Sequence, residues 1–175
     1  MAPAGGGVTQ LPGRGRREGR FSPIGTANDH RDRRRVAELL GREARGPFEV
    51  VIRDGRGDPV VIRSSPLLHD STPMPTLYWL VGDELRRAVS RLEAAGGVRA
   101  AGQAVDVDEL ATAHARYAKE RDAEVPGGHA GPRPAGGVGG TRRGVKCLHA
   151  HYAWFLAGGD DPVGRWVHDQ LAGQA

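Results

Sequence analysis

Residues 72–80 read T-P-M-P-T-L-Y-W-L, and Val81 extends the apolar run by one. Pro73 and Pro75 each fix their own φ and push the preceding residue out of the helical region, so the chain arrives extended. Leu77, Tyr78, Trp79 and Leu80 then follow without interruption, all types that suit a pleated surface. A short run that is apolar on both sides predicts a strand covered on both faces. This stretch is expected to be the central strand of a small sheet.

Its partners lie upstream. Phe48–Arg53 (F-E-V-V-I-R) and residues 59–63 (P-V-V-I-R) each read as a strand, and D-G-R-G-D at 54–58 joins them. The two glycines of that joint are expected to supply the positive φ of a hairpin turn. Pro59 stands at the first position of its strand, where a missing N–H is tolerated. Three antiparallel strands result.

Most of the rest reads as helix. Residues 29–40 follow Asn28 or Asp29 as N-cap and carry Val36, Leu39 and Leu40 as an apolar edge. Residues 84–95, with Asp83 as the expected cap and Gly96-Gly97 as the expected stop, place Leu85, Val89 and Leu92 at i, i+4 and i+7. Asp106 and Glu109 have the spacing of a capping box, and Leu110, His114, Tyr117 and Arg121 share one face of the helix they open. Residues 145–157 form a helix with Val145, Leu148, Tyr152 and Phe155 as its stripe. Asp161-Pro162 opens the last helix, 162–171, with proline at N1. The expected fold class is α+β, with an antiparallel sheet of about three strands against four to five helices.

The 27 glycines and 12 prolines of the 175 residues are concentrated in two places, residues 1–25 and 126–144. The division read from this is a basic, disordered tail at 1–27 and one α+β domain at 28–172 with a flexible loop at 126–144. Residues 1–45 hold ten arginines against five acids, leaving fifteen basic residues against sixteen acids in the remainder. The basic pI is therefore a property of one end. Arg31, Arg33, Arg34 and Arg35 are the residues best placed to touch phosphate, although a solvated helix face next to the tail is the simpler and preferred reading. One cysteine, Cys147, excludes an internal disulfide and suits a reducing cytoplasm. No stretch approaches the apolar length of a membrane span, and the N-terminus lacks the apolar segment of a secretory signal.

Five signatures stand in order: P-T-L-Y-W-L at 75–80, S-R-L-E-A-A-G-G at 90–97, H-A-R-Y-A-K-E-R-D at 114–122, V-K-C-L-H-A at 145–150 and D-P-V-G at 161–164. Together they resemble the uncharacterised bacterial family known as domain of unknown function 501, over roughly residues 30–170. The resemblance implies no activity. In that family's pattern cysteines commonly occupy the positions of Asp54 and Gly82, and a histidine that of Trp154. Such a set would suit metal or redox chemistry, because soft thiolates select zinc or iron–sulfur. Here Cys147, His149 and His114 remain, and a cluster needing several thiolates cannot be built from one. No metal ligands are assigned, and no cofactor follows from the sequence.

The candidate ligand-binding residues are Tyr78, His114, Arg121, Lys146, Cys147 and His149. On a helix, Cys147 meets His151 at i, i+4, close enough for a hydrogen bond, whereas His149 is rotated by about 200°. An imidazole neighbour would activate the thiol, but a lone helical cysteine also serves as a small buried hydrophobe. His114 and Arg121 lie on a face that should be buried, which favours His114 as a satisfied core histidine and demands a carboxylate or an anionic ligand for Arg121, an internal ion pair being preferred. Glu93, Asp122 and Asp161 are the available acids. Lys146, with Arg142 and Arg143, stands where free helical N–H groups would hold a phosphate. No P-loop, dinucleotide fingerprint, H-E-x-x-H or nucleophile elbow is present.

Two readings of function emerge, a non-catalytic binding or regulatory module and an enzyme or metal/redox protein with a pocket around Cys147, His114 and Arg121. Weak nucleic-acid binding through the basic N-terminus is a third. The partner is not specified by any of them.

Overall fold

The computed structural model describes residues 27–173. The tail read at 1–27 lies almost wholly outside the described residues. In chain order the elements are α1 (Ala27–Leu40), β1 (Phe48–Arg53), β2 (Pro59–Ser64), β3 (Tyr78–Leu80), α2 (Asp83–Ala94), α3 (Gly97–Ala104), α4 (Val107–Ala123), a 3-10 turn (Val138–Gly140), α5 (Leu148–Leu156) and α6 (Pro162–Ala172). The fold is α+β. No helix among the described residues is long and apolar enough to cross a membrane.

The sheet order is β1-β2-β3, all antiparallel. Contrary to the expectation from its composition, β3 is therefore an edge strand, and β2 is central. The edge needs no fourth strand next to Leu77, because the Leu77 N–H donates to Tyr117 Oη on α4 (2.5 Å) while its carbonyl accepts from Ser64 N–H (2.7 Å). A side chain completes what a strand would otherwise supply. Its apolar composition on both faces fits two-sided cover, which an edge strand under helices also requires.

Both faces are packed. Ile62 and Val81 join the wholly buried Val36 of α1, with Trp79, Phe48 and Leu39 against them. Burying a valine contributes about 1.5–3 kcal/mol, so Val36 alone goes far to dock α1. On the other side Val61, Tyr78 and Leu80 meet Tyr117, Leu148, Trp154 and Val167 in the larger core. The hairpin closes as its sequence requires: Gly57 N–H donates to the Asp54 carbonyl (3.0 Å) and Asp54 N–H to that of Asp58 (2.9 Å). Of its two glycines only Gly57 takes a positive φ, 85°.

Helix boundaries depart from the sequence reading at four places. α1 opens at Ala27, ahead of the expected caps Asn28 and Asp29. The N-cap of α2 is Gly82, not Asp83, whose carboxylate instead pairs with Arg86 and Arg87 one turn on. Gly96, at φ 87°, stops α2 as expected, but Gly97 immediately begins α3, a helix without a prior signal of its own. Finally α5 begins at Leu148 rather than at 145, because Cys147 is extended (φ −149°, ψ 116°) and serves as its N-cap residue. Asp106 and Asp161 cap α4 and α6 as read, each accepting from two backbone N–H groups. The second half of the capping box is not used, since Glu109 pairs with Arg165 (3.4 Å).

Residues 126–144 are fastened to the fold at several points. Arg121 donates to the carbonyls of Gly136 (2.6 Å) and Pro134 (3.3 Å), and its remaining donors reach Asp122 (2.8 and 2.9 Å). Val138, wholly buried, donates its N–H to His114 Nδ1 (3.1 Å), and His114 Nε2 reaches the Gly144 carbonyl (3.0 Å). The glycines serve this attachment: a Cβ on Gly137 would stand 2.4 Å from the His114 ring. The segment is a strap.

Candidate functional sites

The six residues singled out from sequence fall into three groups. His114 and Arg121 hold the strap. With Nε2 donating to Gly144 and Nδ1 accepting from Val138, His114 is a neutral imidazole with both nitrogens engaged. Burial lowers its pKa below the ordinary imidazole value, and the neighbouring His151 adds to this. Arg121, 1% exposed, finds its carboxylate in Asp122, one of the three acids anticipated. Both ring nitrogens of His114 and four of the five N–H donors of Arg121 are thus engaged within the fold.

Tyr78 lines a cleft. Its volume is about 270 Å³, and its walls are Tyr78, Arg116, Glu120, Trp154 and residues 157–160. It lies where β3, α4 and the turn after α5 meet. At its base the Glu120 carboxylate accepts from Tyr78 Oη–H at one oxygen (2.5 Å) and from Trp154 Nε1–H at the other (3.1 Å). Burial and the adjacent carboxylate push the Tyr78 phenol well above its usual range, so it remains a donor. The Trp154 ring is set edge-on to Tyr117 at 5.1 Å. Gly159 is required there, since a Cβ would come within 2.4 Å of the indole. At the mouth Arg116 donates to the carbonyl of Asp160 (2.7 Å) and pairs with its carboxylate (3.0 Å). Glu120, Trp154, Arg116 and Asp160 were not identified from sequence. The signal for Glu120 was only its position, three residues after Tyr117 on α4.

Lys146, Cys147 and His149 belong to the third place, the start of α5. Lys146, Arg142 and Arg143 are exposed. The expected pairing of Cys147 with His151 does not form. That expectation assumed a helical Cys147, and the extended N-cap backbone redirects the side chain. Its neighbour is His149, with Sγ 3.9 Å from Nδ1. His151 is instead wholly buried, its Nδ1 2.7 Å from Asp161 Oδ2. The same His149 Nδ1 lies 3.3 Å from Glu93 Oε1, an oxygen that also accepts from Leu148 N–H (2.6 Å). On the other side of the ring, Nε2 faces the Arg86 carbonyl and Ser90 Oγ, each at 3.1 Å. The hydrogen bond with Cys147 raises the pKa of His149, against burial, and Glu93 reinforces it. Cys147 is half-buried, not sealed in the core.

The arginines of α1 do not make one patch. Arg33 lies over the Phe48 ring at 5.9 Å, and Arg35 pairs with Asp58 (2.9 Å) and Glu38 (3.0 Å), while Arg31 and Arg34 are exposed.

No curated protein and no solved structure matches the chain. The family model described as "Protein of unknown function (DUF501)" matches residues 50–169, from β1 to α6, which takes in the cleft, the strap and the start of α5. That is well over half of the chain, and the protein belongs to this family.

Proposed function

We propose that the protein is a non-catalytic binding module whose ligand enters the cleft at the turn between α5 and α6 and presents a cationic, amine-type group to Glu120. The observation that carries this reading is the Glu120 carboxylate held between Tyr78 and Trp154 at the base of the cleft. A carboxylate has about four acceptor positions, and the two donors occupy two of them. An ammonium group would use what remains, beside two aromatic rings that favour cations. The C-terminal end of α5, whose carbonyls carry partial negative charge, lines the same cleft. Arg116 and Asp160 pair with one another at the mouth, while Glu120 lies in the field of Arg63, which is itself held by Glu124 (2.6 Å).

A catalytic reading has less support. The groups best suited to acid–base work are taken: His114 by two backbone groups, Arg121 by the strap, and His151 by Asp161 in a wholly buried setting. The test is thermal unfolding of the full chain with a panel of primary ammonium, quaternary ammonium and guanidinium ions. A ligand at 100 times its Kd adds about 2.7 kcal/mol, a rise of roughly 5–10 °C for a chain of this size. Glu120→Gln should abolish the rise while leaving the unliganded midpoint within a few degrees. A rise that persists in Glu120→Gln, or one produced by anions and not by cations, would sink the reading.

A further inference from the structure

The geometry points to a divalent transition-metal site of the zinc type, formed by Glu93, Cys147 and His149 where α2 meets the start of α5. One ligand atom from each, a carboxylate oxygen, Sγ and a ring nitrogen, lie within 4.8 Å of one another. With zinc bond lengths of about 2.0–2.1 Å to nitrogen and oxygen and about 2.3 Å to sulfur, tetrahedral edges are roughly 3.3 Å for N–O and roughly 3.6 Å for N–S. The observed separations from His149 Nδ1 are 3.3 Å to Glu93 Oε1 and 3.9 Å to Cys147 Sγ. The first already equals the tetrahedral edge, and the second closes by a few tenths of an ångström with a small rotation of the cysteine side chain.

The surroundings orient each ligand. His149 Nε2 is 3.1 Å from the Arg86 carbonyl, which can only accept, so that nitrogen carries a proton, and Nδ1, which faces Glu93 and Cys147, is the nitrogen a metal would take in place of any proton held there. A metal-binding imidazole is normally oriented by just such a bond from its second nitrogen. Glu93 is held by the Leu148 N–H at 2.6 Å, a bond that uses one lone pair of Oε1 and leaves the carboxylate's others for a metal. Cys147 is the N-cap residue of α5, a nine-residue helix, and the other two ligands stand on helices, Glu93 on α2 and His149 on α5. Three electron-rich atoms converge on one point, and a cation is what makes their convergence favourable.

The donor types select the ion. A thiolate disfavours magnesium and calcium, whereas sulfur, nitrogen and oxygen together suit zinc or cobalt(II). Three protein ligands leave a fourth position for water, the arrangement of an open zinc site. Binding releases the thiol proton to solvent: one S–H bond breaks, one S–metal bond forms, and no electron is transferred. The thiol count that argued against a metal from sequence applies to thiolate clusters and leaves a mixed set of this kind untouched.

The experiment is a cobalt(II) titration of the full chain, prepared without a polyhistidine tag and stripped with chelator. One equivalent should give a near-ultraviolet thiolate-to-cobalt charge-transfer band and the intense visible bands of a four-coordinate ion, and zinc should displace both. Cys147→Ser should remove the charge-transfer band. Glu93→Gln, whose amide oxygen still accepts from Leu148, and His149→Gln should each weaken binding by roughly 10-fold or more. Circular dichroism confirms that each variant is folded. As a second measurement on the unaltered chain, zinc should slow alkylation of Cys147 at least tenfold, and chelator should restore it. Absence of the sulfur band, affinity unchanged in all three variants, or alkylation indifferent to zinc would overturn the site and leave an imidazole–carboxylate contact only. Glu120→Gln should leave the titration unchanged, so this site and the amine-binding reading of the cleft stand or fall separately.

Discussion

Asp161 offers the sharpest test of how the helical layer is held. Its Oδ1 accepts from the N–H groups of Val163 (2.9 Å) and Gly164 (3.1 Å), capping α6, while Oδ2 accepts from His151 Nδ1–H (2.7 Å). Both side chains are wholly buried. Asp161→Ala removes the cap, worth about 1 kcal/mol, and strands the His151 donor, which costs about 1–3 kcal/mol. The sum, about 2–4 kcal/mol, corresponds to a fall in Tm of roughly 10 °C for a chain of this length. Asp161→Asn separates the two terms. Its amide oxygen can still cap α6, but its NH₂ group then faces Nδ1 and forces the ring proton to Nε2. That nitrogen is buried without a hydrogen-bond partner among the described residues. The asparagine variant should therefore lose about 1–3 kcal/mol despite an intact cap. Urea unfolding of the three forms at pH 7.5 gives the comparison directly. An asparagine variant as stable as the parent, or an alanine variant losing less than about 1 kcal/mol, would show that the buried pair does not hold the two helices in the way described.

Three further outcomes are expected. His114 is held neutral in the folded protein with its pKa below the ordinary 6.5, chiefly by burial and to a smaller degree by His151. Its contribution to stability is thus complete above about pH 6.5 and is lost as pH falls through the folded-state value. Urea midpoints between pH 7.5 and 5 should decline, and His114→Gln should flatten that decline; an unchanged slope would remove His114 as its source. Gly137→Ala should destabilise by about 1–3 kcal/mol, because its Cβ would meet the His114 ring at 2.4 Å, whereas Gly127→Ala, with nothing within 4 Å, should be neutral or slightly stabilising. Equal effects in thermal melts would mean that the strap is not fastened at residue 137. Oligonucleotide binding, measured by anisotropy at two salt concentrations, should be weak and disappear at the higher one, since Arg33 and Arg35 are engaged within the fold.

How far the fold could be read from sequence depended on the range of the interactions that set each feature. The hairpin, the caps at Asp106 and Asp161 and the stop at Gly96 are decided within a few residues, and each appears where the sequence places it. The position of β3 in the sheet is decided by Tyr117, forty residues away, whose hydroxyl takes the Leu77 N–H; strand composition carries no trace of that. The glycines of residues 126–144 suggest freedom when read locally. Once His114 and Arg121 are in place, the same glycines are what let the backbone approach two buried side chains. Composition alone cannot distinguish a loop that must move from one that must fit.

The site at α5 turns on a single backbone angle. A helical wheel starting at residue 145 pairs Cys147 with His151 and sends His149 away. With Cys147 extended at ψ 116°, the pairing inverts: His149 joins Cys147, and His151 goes to Asp161. The sequence held a hint of this boundary, because G-V-K-C has no cap of its own before residue 147. The cap arrives from outside the segment, when Glu93 of α2 accepts the Leu148 N–H. One carboxylate thus ends the non-helical stretch, sets the direction of the cysteine and lies 3.3 Å from the histidine. A metal held by these three side chains would therefore also stabilise the contact between α2 and α5.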